Sequence, residues 1–312
     1  MPNHGKQHTI PRSYLASWID PVTPTGQTGA IWRISKDRSE KWRRSPEKSF
    51  RETDRYTIRV KDGTRDLSVE STLGQTETDF QPILMTIRRR QSLTALQRAK
   101  LAIFTAAMMG RSKKQGNHWL AQWIEQVGKV KRMEGKLGSA GERPLSEQLE
   151  QGLENSHANT VMNTIRAAAP VLSSMTLTIL TTSDTDGFIT SDAPAVMYNP
   201  TAHRLPPFYR SPGLLQAEVE VSLPLSPHEL ALYCRQPLHL LYTPIPDKYL
   251  DEANRTTYFF ADEEFISWKG NTREVWFEKR EPPPDAWENT DGATEHQGES
   301  ETRAGTRSRQ GC

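Results

Sequence analysis

The sequence predicts an α+β fold in which an antiparallel sheet packs with several helices. Short segments rich in β-branched and aromatic residues, such as 54–60 and 218–223, alternate apolar and polar positions as half-buried strands do. Longer segments, such as 66–90 and 94–109, carry apolar residues at helical spacing or on every side. Strands and helices are grouped along the chain rather than alternating, which favours an antiparallel sheet over parallel βαβ units.

The first sixty residues predict a short helix and two strands. Pro11 suits the first position of a helix, where its missing N–H would lack a partner in any case. Strands are predicted over 30–35 and 54–60, because both are rich in β-branched and aromatic residues. The polar segment 41–51 between them is predicted to be a mobile loop.

The strongest helix signal lies in the middle of the chain. Thr94 and Gln97 have the spacing of a capping box, in which each side chain bonds the other residue's backbone N–H. The following run 101–109 is apolar on every side, which is typical of a buried helix. Arg111 comes directly after this run, so a cation is expected at the end of the most buried element.

The remaining elements are two helices, a block of strands and a last helix. The helices are predicted over 118–130, over 146–169 with Ser146 as N-cap and Pro170 as stop, and over 248–268. The strands are predicted over 175–182, over 188–190 after a hairpin turn at Asp186-Gly187, and over the paired segments 218–223 and 230–234.

Composition divides the chain into a folded part and a tail. Residues 281–312 contain one aromatic residue and no Leu, Ile, Val or Phe, so they cannot bury enough apolar surface to offset the entropy of ordering. The sequence therefore predicts a single α+β domain over 1–280 and a disordered tail over 281–312.

Charge and cysteine content favour a soluble, cytoplasmic protein. The formal net charge of the 312 residues is +2, and a modest basic excess is weak evidence for nucleic-acid binding. No window reaches the ~18 apolar residues of a membrane span, and the start lacks the apolar core of a signal peptide. The two cysteines, Cys234 and Cys312, are not expected to form a structural disulfide.

The familiar motifs of nucleotide-binding loops, serine hydrolases, zinc proteases and paired C-x-x-C zinc sites are absent from the sequence. Ser191 and Asp192 instead stand out, because they lie where a short strand ends. Their side-chain oxygens suit a turn that caps backbone N–H groups before Pro194. Alternatively, Asp192 is a general base or ligand-binding group at the strand end. Ser191 has no visible partner base, so it is a candidate for ligand binding rather than a nucleophile.

Arg111 and His8 are the other candidate site residues. A cation at a helix C-terminus is favoured by the helix dipole, which is the architectural interpretation of Arg111. The functional interpretation is that its planar guanidinium meets Asp192 or an anionic ligand. His4 and His8 have a spacing seen in metal ligands, but no acid precedes Asp20 to complete a set, so no metal site is predicted.

A basic segment supports a second kind of function. Residues 41–59 and Arg88–Arg90 are rich in cations, and Trp42 lies among them. An aromatic ring beside arginine can stack on a base while the arginine binds phosphate. A solvated loop is the simpler interpretation of such a charge run.

Several of these residues occur in the order of a known family. They are His8-Thr-Ile-Pro-Arg-Ser-Tyr-Leu15 with Trp18, the helix closed by Arg111, Phe188-Ile-Thr-Ser-Asp-Ala-Pro-Ala-Val196, Pro224-Leu-Ser-Pro227 and Asn254. At these places the chain resembles the family called domain of unknown function 4238, with tryptophan where the family's opening segment has phenylalanine. The resemblance spans roughly 4–270 and implies a single domain in which His8, Arg111, Ser191 and Asp192 gather. It implies no reaction, because the family has none assigned.

The sequence thus leaves three hypotheses. The first is a ligand-binding or hydrolase-like protein, in which His8 and Asp192 share acid–base work and Arg111 holds a small anionic ligand. The second is a nucleic-acid-binding protein that uses segment 41–59. The third is a non-catalytic interaction protein whose polar cluster only stabilises the fold. No cofactor and no specific partner follow from the residues, and a membrane partner is not expected.

Overall fold

The computed structural model of the protein describes residues 5–24, 26–60, 64–137, 144–206, 210–236 and 240–279. The predicted tail 281–312 lies outside the described residues, and so does His4. Within the described residues the fold is α+β, as predicted, with antiparallel pairing in nearly all of its sheets.

The described residues form seven α-helices. In chain order these are α1 (Arg12–Leu15), α2 (Ser68–Arg88), α3 (Ala95–Gly110), α4 (Lys113–Leu137), α5 (Leu145–Glu154), α6 (Ser156–Ser174) and α7 (Asp247–Phe260).

The same residues form thirteen strands. In chain order these are β1 (Lys6–His8), β2 (Ile31–Ser35), β3 (Lys41–Arg44), β4 (Arg51–Thr53), β5 (Ile58–Arg59), β6 (Arg65–Asp66), β7 (Thr176–Thr181), β8 (Thr190–Ser191), β9 (Val196–Tyr198), β10 (Glu220–Ser226), β11 (Glu229–Cys234), β12 (Tyr242–Pro244) and β13 (Glu264–Ser267).

Two larger sheets and two short ribbons organise these strands. The five-stranded sheet has the order β12-β7-β11-β10-β9, in which only β12 and β7 run parallel. The four-stranded sheet has the order β3-β2-β13-β8 and is antiparallel throughout. The ribbons pair β1 with β4 and β5 with β6. The predicted pairing of 218–223 with 230–234 is confirmed by β10 and β11.

Helix α3 lies in the main core, as its all-apolar sequence predicts. Its capping box forms: Thr94 Oγ1 accepts from the N–H of Gln97 at 3.2 Å, and Gln97 Oε1 accepts from the N–H of Thr94 at 2.9 Å. Phe104 of α3 stacks on Phe80 of α2 with ring centroids 4.1 Å apart. This stacked, fully buried aromatic pair joins α2 and α3 and adds to the apolar area that they bury.

The prediction that 41–51 is a loop is wrong in part. Lys41–Arg44 forms β3, which pairs with β2, and Arg51 begins β4. β3 is an edge strand, and three of its four residues are exposed. Charged side chains are favoured at such an edge because they prevent pairing with other chains. Its polar composition therefore hides the strand from sequence analysis.

The predicted hairpin at Asp186-Gly187 is also wrong. β7 and β8, which the turn would join, belong to different sheets. Gly187 has φ +69°, and a Cβ there would lie 2.4 Å from Pro227 O. The glycine thus permits a close backbone approach between chain segments rather than a two-residue hairpin.

Two predicted helices have wrong boundaries. The last helix ends at Phe260, and 264–267 forms β13 in the interior of the four-stranded sheet. The helix predicted over 146–169 is divided into α5 and α6, and Pro170 lies inside α6 instead of ending it.

Candidate functional site

The opening segment of the chain is fixed against the strand that carries Ser191. Tyr14 Oη donates to Pro224 O at 2.7 Å, so the 2.6 Å contact with Thr190 Oγ1 has the threonine as donor. Trp18 Nε1 donates to Phe188 O at 3.1 Å. Both rings are fully buried. These contacts bring the first and the middle part of the chain together.

Asn254 of α7 holds the same strand from the other side. Its Oδ1 accepts from the N–H of Ile189 at 2.9 Å, and its Nδ2 donates to Gly187 O at 2.9 Å. The side chain is fully buried. Asn254 therefore satisfies two backbone groups just before β8 and fixes the start of the segment that leads to Asp192.

Arg111 and Asp192 line one polar cavity of about 210 Å³. Its other lining residues come from the opening segment, β2 to β4, α4 and the end of α7 into β13; they are Thr9, Arg33, Arg44, Lys48, Phe50, Arg51, Glu52, Lys113, Glu263 and Glu264. The cavity thus lies where both ends of the described chain meet its middle.

Arg111 occupies the C-cap of α3 and is only 2% exposed. Its Nη2 donates to Glu77 Oε1 at 2.7 Å, and its guanidinium carbon lies 5.8 Å from the centroid of the Tyr56 ring. Its Nε and Nη1 have no hydrogen-bond partner among the described residues. Two buried donors of this cavity-lining residue are thus left without an acceptor among the described residues.

Asp192 uses its carboxylate to hold backbone. Oδ1 accepts from the N–H of Asp262 at 2.8 Å, and Oδ2 accepts from the N–H groups of Glu263 and Glu264 at 2.7 and 3.1 Å. Burial raises the pKa of the carboxyl to about 6, although these three bonds act in the opposite direction. Asp192 therefore fixes the connection between α7 and β13, and its charge depends on pH near neutrality.

Ser191 is fully buried and is not among the residues that line the cavity. Its Oγ accepts from the N–H of Ala193 at 3.1 Å. This is the side-chain-capped turn that the sequence before Pro194 indicated.

His8 lies in β1 and lines a neighbouring cleft of about 540 Å³ rather than the cavity of Arg111. Arg51 lines both spaces, and Glu77, which binds Arg111, lines the cleft. His8 Nε2 lies 3.1 Å from Glu47 O, and because a carbonyl only accepts, this nitrogen carries the proton. Burial, with the charge of Arg51, lowers the pKa of His8, so the ring favours its neutral form with Nδ1 unprotonated.

Ion pairs inside the cavity involve residues that sequence analysis did not single out. Arg33 binds Glu264 with two hydrogen bonds of 2.7 Å, and Lys113 Nζ lies 3.0 Å from a Glu263 oxygen. Burial opposes a rise in the pKa of Lys113, but the hydrogen bond and charge of Glu263 outweigh it and raise the pKa. The one available signal was Arg33 itself, a lone charge within the apolar strand β2.

The mouth of the cavity carries cations that, unlike Arg33 and Lys113, are not paired with an acid of the described chain. Glu52 is paired with Arg55. Arg44, Lys48 and Arg51 are exposed and make no ion pair with other described residues. All three lie within the basic segment 41–59 of the sequence analysis. The structure therefore directs part of that segment toward the cavity.

A larger cavity of about 420 Å³ lies elsewhere in the fold and is mostly apolar. Its walls include Met109, Trp123, Asn163, Ala168 and Met197. None of the four predicted site residues lines it, and none of its lining residues is charged. It offers no acid, base or cation for the chemistry considered above.

Comparison with known families agrees with the motif positions. A family model described as protein of unknown function (DUF4238) matches residues 6–270. The chain belongs to this family. The DUF4238 match covers His8, Arg111, Ser191, Asp192 and Asn254 and ends shortly after β13. No curated protein and no solved structure matches the chain.

No helix of the described ranges combines the length and apolar character needed to cross a membrane. No group of three or more His, Cys, Asp or Glu side chains in these ranges is placed to hold a metal ion.

Proposed function

We propose that this protein binds a small anionic ligand in the polar cavity and that Arg111 holds the anion. The supporting observation is the pair of unpartnered donors, Nε and Nη1, on a side chain that is 2% exposed. A buried donor without an acceptor costs about 1–3 kcal/mol. Arginine stays charged at physiological pH, so the oxygen of a carboxylate, sulfate or phosphate removes this cost most effectively.

The charge of the cavity supports the same ligand class. Cations outnumber acids among the lining residues, six against four. Partial protonation of Asp192 near neutral pH increases the positive balance further, because burial raises its pKa to about 6. An anion is therefore favoured over a cation at this place.

Binding receives more support from the geometry than catalysis does. A hydrolase-like reaction with His8 and Asp192 as acid and base needs both groups on one ligand. His8 lines the neighbouring cleft, and the Asp192 carboxylate is engaged by three backbone N–H groups. The catalytic role of these two residues stays a prediction.

Nucleic-acid binding receives less support from the basic segment than its composition suggested. Lys41 Nζ donates to Gly270 O, and Arg43 pairs with Asp20 at 3.2 Å. Arg55 is likewise paired within the fold, with Glu52. The cations of 41–59 that make no ion pair include those at the mouth of a small cavity, which suits a small anion.

The test is calorimetric titration with sulfate, inorganic phosphate and acetate. The wild-type protein should bind at least one of them saturably, and Arg111→Met should weaken that binding about tenfold or more, which is ~1.4 kcal/mol or the loss of about one charge-assisted hydrogen bond. Arg98→Met is the matched control, because Arg98 is exposed on the same helix and does not line the cavity. Failure of all three anions to bind below about 10 mM, or equal binding by Arg111→Met, would refute the proposal.

A further inference from the structure

We infer that the ligand of this cavity is a compact phosphate-type compound with at least two negative charges, such as inorganic pyrophosphate or a phosphomonoester. This inference rests on the proposed function and adds the charge and chemical class of the ligand. Some charged groups of the cavity are already paired within the fold and others are not, and this difference supports the inference.

The acids of the cavity are all occupied. Glu264 accepts two hydrogen bonds from the guanidinium of Arg33, and Glu263 forms an ion pair with Lys113. Glu52 pairs with Arg55, and the carboxylate of Asp192 accepts three backbone N–H bonds. No acid is therefore left to receive a positively charged part of a ligand, which disfavours zwitterions such as amino acids.

The cations of the cavity are only partly occupied. Arg111 keeps two donors without a partner deep in the wall. At the mouth, Arg44 ends β3, Lys48 ends the short 3₁₀ turn of Pro46–Lys48, and Arg51 begins β4, and none of these three is ion-paired to another described residue. One deep cation and three outer cations repel each other unless an anion lies between them.

The size of the space limits the ligand that meets these cations. A volume of about 210 Å³ is below the ~300–1,000 Å³ typical of sites for drug-sized molecules. Several negative charges must therefore be carried by few atoms. Phosphate groups do this, and their oxygens match the planar fork of arginine while lysine adds a point charge.

The arrangement assigns two different tasks to the cations. The two free donors of Arg111 contact the first anionic group, whatever its total charge. Arg44, Lys48 and Arg51 contact the remaining negative charge. Any small anion then reaches Arg111, whereas only a multiply charged ligand also uses the three cations at the mouth.

The experiment compares pyrophosphate with acetate by calorimetric titration of the full chain. The variant Arg44→Gln/Lys48→Gln/Arg51→Gln should bind pyrophosphate about tenfold or more weakly than wild type. Each exposed ion pair between one of these cations and pyrophosphate contributes a fraction of a kcal/mol to binding, and the variant loses three of them. Its affinity for acetate should change less than about threefold. The control variant Arg88→Gln/Arg89→Gln/Arg98→Gln removes the same charge at exposed positions outside the cavity lining and should leave both affinities unchanged.

The outcomes separate this inference from the proposed function. If acetate and pyrophosphate bind equally, or if the mouth variant weakens both to the same extent, the phosphate-type ligand is refuted while anion binding at Arg111 stands. If none of acetate, sulfate, inorganic phosphate and pyrophosphate binds, or if binding does not need Arg111, both fail. A ten-nucleotide thymidine strand serves as a second source of phosphate. Binding of this strand that is tighter than that of pyrophosphate and is lost in the Arg44→Gln/Lys48→Gln/Arg51→Gln variant would overturn the compact ligand.

Discussion

Replacing Arg111 by methionine tests whether this buried cation serves the fold or a ligand. Methionine is unbranched and of similar reach, so it fills much of the space that the guanidinium leaves. The replacement removes two unpartnered donors, each costing about 1–3 kcal/mol. It also removes the hydrogen bond to Glu77, which contributes about 1.5–3 kcal/mol. The Glu77 carboxylate that loses this bond stays in partial contact with water, because its side chain is 27% exposed.

The stabilising and destabilising contributions of Arg111→Met to the free energy of unfolding therefore nearly cancel, or their sum stabilises the variant. We expect the free energy of unfolding of the ligand-free variant to be within about 1 kcal/mol of wild type, or above it. Urea unfolding followed by circular dichroism, in a buffer without sulfate or phosphate, measures this difference. An unchanged m-value shows that the same surface is exposed on unfolding.

A second substitution makes the test reciprocal. Glu77→Met leaves the buried guanidinium without its carboxylate, so we expect a loss of about 3 kcal/mol. Adding Arg111→Met to Glu77→Met should recover most of that loss, because the unpaired charge is gone. If Arg111→Met alone lowers the free energy of unfolding by more than about 3 kcal/mol, the arginine is architectural and the argument from its free donors fails.

Two more outcomes follow from the site. Asn254→Ala leaves two buried backbone groups beside β8 without partners, so the free energy of unfolding measured in urea should fall by about 2–6 kcal/mol. The control Asn117→Ala, at an exposed position of α4, should change this free energy by less than about 0.5 kcal/mol. Equal effects of the two substitutions would contradict the role of Asn254 in holding these backbone groups. Sulfate, whose charge is constant over this range, should bind more tightly as the pH falls through about 6, because protonation removes the negative charge of Asp192 from the cavity. The trend should persist in His8→Gln when followed by calorimetric titration, and its loss there would assign the effect to the histidine.

The parts of the fold that depend on local signals were predicted from the sequence. The capping box of Thr94 and Gln97 and the apolar run after it define α3 without reference to any other element. β8 has only two residues and pairs with β13, so the strand predicted over 188–190 overlaps it at Thr190 alone. Phe265 and Ile266 continue the apolar spacing of α7, and only their pairing with β2 and β8 makes them a strand.

The candidate site divides in the same way. Arg111 and Asp192 stand out in the sequence because each is a polar residue at the end of an apolar element, and both line the cavity. Lys113 resembles an ordinary surface cation, and only the tertiary arrangement turns it toward the same space as Arg33. His8 is brought near this space but lines the adjoining cleft, a distinction that sequence spacing does not contain.

The position of β13 determines when the cavity is completed during synthesis. This strand is the last made in the described chain, yet it lies between β2 and β8 in the interior of its sheet. β2 and β8 therefore have no shared partner strand on a growing chain until residues 264–267 are made. Glu264, the first of them, also closes one wall beside Arg33. The polar cavity is thus among the last features of the described chain to be completed, and a fragment that stops short of β13 lacks the wall that Glu264 forms.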